Sequence, residues 1–370
     1  MKILFVSHVA NFQKFNKPYM LWFKEQGWTV DYAATDDEVI LNADNSYTID
    51  FRRNPLNPKN IKALSQMIKL LKKNRYDIIH CHTPVGGVIA RVAALFSPKT
   101  KVIYTAHGFH FFKGAPLLNN IVYKTIERLL AGITDVLVTI NAEDYNAAKK
   151  FRLRKNGKVY YLKGVGVDTE RYANSKPDKE KICKELNIKP TDFIVLTVGE
   201  LIKRKNYRSS IAAFAEADIP DSKYLICGKG RDEAELKELC KEYGIEDKVI
   251  FMGYCRNIEE IVKIADVFML ISWQEGLPLA ILEAMAGGLP IIGSDIRGTN
   301  ELVTNNGFIY KPDDIKSFSD ALKKLYLNSS LRTEMGKNST LNSLEYDIHN
   351  SVKTMAEIYS EVIEKSKNSG

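Results

Sequence analysis

Short apolar runs recur along this chain, and each is followed by a stretch in which apolar positions return at helical spacing. In the first half the runs fall at residues 2–7, 29–34, 77–81, 101–106, 135–140 and 159–162; a second series falls at 193–198, 223–227, 248–252, 266–272 and 289–294. Val267-Phe268-Met269-Leu270-Ile271 is apolar at every position, the pattern of a strand covered on both faces by helices. The alternation predicts an α/β protein of two doubly wound, Rossmann-like parallel-sheet domains. Lys163-Gly164-Val165-Gly166-Val167-Asp168 and the polar stretch 173–181 interrupt the pattern and place a hinge near residues 164–178. Residues 1–165 and 166–345 are the expected domains, and 346–370, with a helix at about 348–365, is expected to cross back to the first. Ligands of open α/β sheets bind beyond the carboxyl ends of the strands, so the two sheets are expected to face each other across a cleft.

A chain of 370 residues and 41.9 kDa suits two such domains. It has no run of 18 uncharged apolar residues, and its first apolar run is too short for a signal peptide, which points to the cytoplasm. The five cysteines are scattered and form no CxxC pair, as expected of reduced thiols filling small core spaces. Charge is uneven. Residues 1–165 carry 25 Lys and Arg against 12 Asp and Glu, +13, which leaves −5 for the rest. Lys59, Lys62, Lys69, Lys72, Lys73 and Arg75 share one expected helix with Ile61, Leu64, Ile68, Leu70 and Leu71. That pattern suits either an anionic membrane surface or a solvated helix face. Nucleic acid is disfavoured, because no known module is present and no aromatics interleave with these cations.

The densest chemistry lies between Glu275 and Glu283, two carboxylates eight positions apart around a strand-to-helix turn. Gly276 and Pro278 punctuate the turn, Leu277 lies between them, and a helix is expected just after Pro278. The amides of Leu279 and Ala280 would then be left free to meet an anion. Glu275 can accept hydrogen bonds from sugar hydroxyls and Glu283 a pair from a ribose diol. Gly199-Glu200-Leu201-Ile202-Lys203-Arg204-Lys205-Asn206 sets three cations after a buried strand, with Lys205 the first choice for a phosphate and Arg204 the second. In the other half His107 follows a strand and precedes Gly108, where it can meet a sugar. His110, among phenylalanines, reads as a packed aromatic; that Phe-rich loop with Pro116-Leu117-Leu118 also suits a lipid or a partner. His80 and His82 share one strand face, but no carboxylate or second cysteine lies near enough in sequence to complete a metal site. The chain also lacks an Asp-x-Asp run, so no metal is expected and the charge-balancing role passes to Lys205 and the helix terminus.

Together these pieces resemble the retaining glycosyltransferases of family 4, with the GT-B fold, over nearly the whole chain. Glu275 to Glu283 matches the family's E-x7-E signature, His107-Gly108 its histidine-glycine pair and Lys205 its phosphate-binding lysine. The resemblance implies that Glu275 and the loop amides contact the donor sugar, Glu283 the ribose, Lys205 the diphosphate and His107 the sugar near its reacting carbon. It also implies that the backbone around Gly253 and Tyr254 holds the base. Implied further are a UDP-sugar donor, of N-acetylhexosamine type, and front-side attack with retention and without metal. The acceptor would be a lipid-linked saccharide in capsule or exopolysaccharide synthesis, at the inner face of a bacterial membrane that the basic first half touches. Two departures mark this chain. Glu200 stands where many members have arginine, leaving Arg204 or Lys203 to substitute, and His8 to Lys14 replace the glycine pair after the first strand. A UDP-sugar epimerase and a non-catalytic sugar-nucleotide binder are the alternatives. A dehydrogenase is disfavoured because the G-x-G-x-x-G turn is missing.

Overall fold

The computed structural model describes residues 1–36, 38–54 and 57–367, in two compact units: Met1–Val165 with the segment from Ser351 onward, and Gly166–Asn350. Among the described residues the first unit holds β1 (Lys2–Val6), β2 (Thr29–Ala34), β3 (Asn45–Thr48), β4 (Ile78–His82), β5 (Lys101–Ala106), β6 (Val136–Thr139) and β7 (Lys158–Tyr161). The second holds β8 (Phe193–Val198), β9 (Ser222–Cys227), β10 (Val249–Gly253), β11 (Val267–Leu270), β12 (Ile291–Ser294) and β13 (Gly307–Tyr310). Both sheets are parallel, in the orders β3-β2-β1-β4-β5-β6-β7 and β10-β9-β8-β11-β12-β13. Strand order reverses between β1 and β4 in one and between β8 and β11 in the other. Loops leaving neighbouring strands at such a point diverge, and the gap between them admits a ligand.

Central strands match the apolar runs to within about two residues, the usual tolerance of element boundaries. The pattern missed β3 and β13. Asn45–Thr48 is an edge strand with mostly exposed polar residues, and Gly307–Tyr310 is an edge strand of half-buried ones, so neither reads as a buried run. The last helix, Ile348–Lys367, sends Met355, Ile358, Tyr359 and Val362 into the core of the first unit beside Ile3, Phe5 and Val30.

The basic helix is Asn60–Asn74, and its apolar face is already occupied. Ala63, Met67, Leu70 and Leu71 are buried against Ile79 and Val102, with Leu64 and Ile68 packed beside them, while Lys62 pairs with Asp50 at 2.5 Å. Of its large apolar residues, Ile61 faces out. What the helix offers a membrane is charge, without an apolar face to insert.

A different helix, Leu117–Ala131, is inverted. Leu117, Leu118, Ile121, Val122 and Leu129 are exposed, and Glu127, its one acid, turns inward to Arg91 at 2.8 Å. Arg91 is itself 1 % exposed, donates to the Gly87 carbonyl at 2.9 Å and lies over the Tyr104 ring at 3.9 Å. Gly87 permits that stack, since a Cβ there would sit 2.6 Å from the tyrosine ring.

Candidate active site

Two loops border the reversal point of the second sheet. The loop after β8 ends in a tight turn over Lys203–Lys205, and Asn206, at φ 52°, redirects the chain into the helix Tyr207–Ala217. The loop after β11 runs from Ile271 to Pro278, and Trp273 N–H donates to the Arg204 carbonyl at 2.9 Å, tying the two together. Glu275 is the meeting point. Its carboxylate receives Lys205 Nζ at 2.8 Å and Arg204 Nη1 at 3.2 Å, and the residue is 7 % exposed.

Burial alone would push the Glu275 carboxyl up, but the Lys205 ammonium, then the Arg204 guanidinium, more than offset it and hold it below the usual carboxylate range. A depressed carboxyl stabilises the fold above its unfolded pKa, and this contribution is lost as pH falls through the lower folded value. Glu275 is therefore a carboxylate at neutral pH. Arg204 also donates to the Gln274 carbonyl at 2.6 Å, whereas Lys203 is exposed and lines a separate hollow with Tyr243 and Leu239. Of the two candidates to replace the missing arginine, Arg204 is the one beside Glu275. Glu200 is exposed.

Arg297 was not foreseen. From the loop after β12 its Nε and Nη2 both donate to the Glu275 carbonyl at 3.1 Å, and the side chain is buried. Gly298, at φ +79°, lets that loop pass: a Cβ there would lie 2.2 Å from the Gly276 carbonyl oxygen. A lone arginine beyond the signature gives no sequence signal; only the adjacency of β11 and β12 brings it in.

The helix Leu279–Ala286 starts after Pro278, and its first internal bond runs from Ile281 N–H to the Pro278 carbonyl at 3.0 Å. The amides of Leu279 and Ala280 precede that bond and so lie outside the ladder, at the positive end of the helix. Glu283, one turn on, does not join Glu275. It bonds the Tyr172 hydroxyl and lies in the field of Arg171. The partner that its apolar helix demanded is thus a phenol from the helix Thr169–Asn174. Gly253 ends β10 at φ 65°, its carbonyl accepts from Gly228 N–H at 2.7 Å, and Tyr254 beside it is exposed.

His107 belongs to the first unit, at the carboxyl end of β5. Its Nε2 lies 3.1 Å from Nδ1 of His82, the last residue of β4, and Phe12 packs edge-on against its ring at 4.7 Å between centroids. His80, two residues earlier on the same face, is committed elsewhere: Nε2 to Thr105 Oγ1 at 2.8 Å and Nδ1 to the Tyr359 hydroxyl at 2.7 Å. Burial holds His80 and His107 down to about 3 and His82 well below its ordinary value, so all three are neutral. Phe109 and Phe111 turn inward and Phe112 is half-buried, so the Phe-rich loop is largely core, whereas Leu117 and Leu118 beyond it are exposed. His110 packs against the Tyr123 ring at 5.0 Å between centroids, as a packed aromatic would, but it does so at the exposed surface.

Comparison with known proteins identifies the family and the fold. Residues 178–341 match the model for glycosyl transferases group 1, and residues 2–140 that for glycosyl transferase 4-like domains. A Bacillus subtilis (strain 168) protein named as the glycosyltransferase EpsD is 38% identical over 367 residues, covering 97% of this chain and 96% of its own. The chain belongs to glycosyltransferase family 4. An Escherichia coli relative of this family, named UDP-Gal:alpha-D-GlcNAc-diphosphoundecaprenol alpha-1,3-galactosyltransferase, is 36% identical over 72% of this chain and 70% of its own. The fold is GT-B: the crystal structure of Anabaena Alr3699/HepE in complex with UDP and glucose superposes with TM-score 0.82 over 98% of this chain and 100% of that one, at 18% identity. For this family-4 enzyme, the E-x7-E signature thus translates into two separate carboxylates. Glu275 is clamped by cations, and Glu283 is hydrogen-bonded to a phenol.

Proposed function

We propose that this glycosyltransferase moves a hexose or N-acetylhexosamine from a UDP-sugar to a hydroxyl of a lipid-linked saccharide, with retention and without a metal, in capsule or exopolysaccharide synthesis. The observation that carries the reading is the Lys205–Glu275–Arg204 cluster at the reversal point of the second sheet. The ammonium and guanidinium neutralise Glu275. A diphosphate arriving at the open amides of Leu279 and Ala280 competes for the same two cations, and the carboxylate so released accepts hydrogen bonds from the sugar hydroxyls. As the glycosidic C–O bond breaks, charge grows on the diphosphate beside Lys205, Arg204 and the helix terminus, preorganised groups that cost no rearrangement. A departing phosphate oxygen takes the proton of the acceptor hydroxyl as that oxygen attacks on the same face, so no enzymic nucleophile is needed. His107 contacts the sugar, Glu283 the ribose, and the Gly253-Tyr254 backbone the base. The donor and acceptor classes follow those in the name of the Escherichia coli relative, a galactosyltransferase that uses UDP-Gal and a diphosphoundecaprenol-linked GlcNAc.

Thermal stabilisation across a panel of UDP-, GDP- and ADP-sugars, followed by transfer to a lipid-linked acceptor in EDTA, tests this reading. Stabilisation and turnover with a UDP-sugar support it. Preference for another base, interconversion of the free sugar nucleotide without acceptor, or turnover that needs added manganese would each sink it. Within the same assay Glu283→Gln is expected to raise the donor KM by about tenfold, the scale of a weakened charge-assisted pair, with kcat changed far less. An unchanged KM removes Glu283 from donor binding.

The acceptor's lipid requires access to a membrane. Among the described residues no helix is long and apolar enough to cross one. The exposed face of Leu117–Ala131 supplies a surface instead: Leu117, Leu118 and Leu129 are 76 %, 71 % and 72 % exposed, with Lys124 and Arg128 exposed beside them. Apolar groups edged by cations suit the interface of an anionic bilayer, and the lysines of Asn60–Asn74 add charge alone. Replacing Leu118, Val122 and Leu129 together by Ser is expected to cut binding to phosphatidylglycerol vesicles at least about tenfold, given the apolar area withdrawn. Undiminished co-sedimentation would rule this face out.

A further inference from the structure

The contact between His82 and His107 determines which nitrogen of His107 carries its proton. Both rings are neutral, and a neutral imidazole has one N–H and one lone pair, so a bond of 3.1 Å from His82 Nδ1 to His107 Nε2 allows two arrangements. If His107 donates from Nε2, then His82 accepts at Nδ1 and carries its own proton on Nε2. That nitrogen is buried in a residue 1 % exposed and, among the described residues, has no hydrogen-bond partner. An N–H would be sealed among Phe5, Phe12 and His80 with nothing to accept it. If His82 donates from Nδ1, only a lone pair is left there, and buried acceptors without partners are better tolerated than buried donors. His107 then accepts at Nε2 and holds its proton on Nδ1. This reverses the preference of imidazole in water, where the Nε2–H form dominates.

The rest of the cluster favours the same arrangement. His80 uses both its nitrogens, on Thr105 and Tyr359, and so offers nothing to His82 Nε2. Phe12 and Phe15 flank the His107 ring at 4.7 and 6.1 Å between centroids and limit its rotation. His107 Nδ1 has no bond to any described residue and is not sealed from solvent, since His107 is only partly buried.

We propose that His82 is a positioning residue that locks His107 as its Nδ1–H tautomer, so that His107 offers a hydrogen-bond donor to an oxygen of the donor sugar. The functional half of this statement rests on the role given to His107 above; the tautomer does not. A group set by a neighbour's hydrogen bond needs no rearrangement when substrate arrives, and the sugar oxygens it meets can all accept.

The test is a two-bond ¹⁵N–¹H correlation spectrum of the full chain, labelled at histidine, at neutral pH, with assignments from single-histidine variants. His82 and His107 are each expected to show a protonated Nδ1 and an unprotonated Nε2. A protonated Nε2 on His107 overturns the proposal. In kinetics, His82→Leu is expected to lower kcat about tenfold with the donor KM changed less than about twofold, the worth of one hydrogen bond made in the transition state. His82→Asn, whose Nδ2 replaces the donating nitrogen, is expected to restore kcat to within about threefold of the native enzyme. A merely structural role would move both variants alike. Native kcat in His82→Leu beside an impaired His107→Ala also overturns the proposal. Native kcat in His107→Ala would instead strike the role given to His107 in sugar binding, leaving the spectrum to decide the tautomer.

Discussion

Lys205→Ala is expected to lower kcat by about two to three orders of magnitude, the loss typical of one preorganised group that stabilises developing charge. Lys205 stands 2.8 Å from Glu275 and is largely shielded from water, so its ammonium acts at low dielectric, where charge is worth most. The substitution also leaves Glu275, 7 % exposed, with Arg204 as its remaining cationic partner. Donor binding weakens less than turnover, because Arg204 and the amides of Leu279 and Ala280 still meet the ground-state diphosphate. Steady-state kinetics separates the two effects. Turnover within about threefold of the native enzyme would take Lys205 out of the mechanism.

Glu127→Ala is expected to destabilise the first unit by about 3–5 kcal/mol, the scale of leaving one member of a buried ion pair alone. Its partner, Arg91, is 1 % exposed and has no water to turn to. The helix Leu117–Ala131 depends on this pair more than an ordinary surface helix would. Its outward face is apolar, and Glu127, Leu130 and Ala131 are the residues it buries. Chemical denaturation measures the loss, and hydrogen exchange should show it concentrated in that helix. Arg91→Met combined with Glu127→Leu is expected to recover most of the stability, because an apolar pair of similar volume carries no desolvation cost. A single-variant loss under about 1 kcal/mol would mean that the pair is better hydrated than its burial indicates.

The parts of the fold legible in the sequence were those governed by burial. Strands covered on both faces are mostly apolar, so β1, β5, β8 and β11 stood out, and their alternation with helices marked parallel, doubly wound sheets; the strand order came only with the fold. Asn45–Thr48 and Gly307–Tyr310 lie at sheet edges, where one side needs no apolar residue, and they passed unseen. In the candidate site, Lys205 and Glu275 were legible because each follows a buried strand at the sheet's reversal. Glu283 was flagged by the apolar helix around it, but the partner proved to be Tyr172, which has no local signal. Arg297 and His82 act across loops that only tertiary structure joins. His82 shares a strand face with His80, yet in the fold the two hydrogen-bond to different partners. The apolar positions of Leu117–Ala131 face outward, although apolar positions at helical spacing ordinarily mark the buried side.

A crystal structure of the enzyme with UDP tests the central claim most directly. The account expects the diphosphate against Lys205 Nζ, Arg204 and the amides of Leu279 and Ala280, with the Lys205–Glu275 contact lengthened beyond 2.8 Å. UDP bound away from the loops after β8 and β11, with that ion pair unchanged, would contradict it.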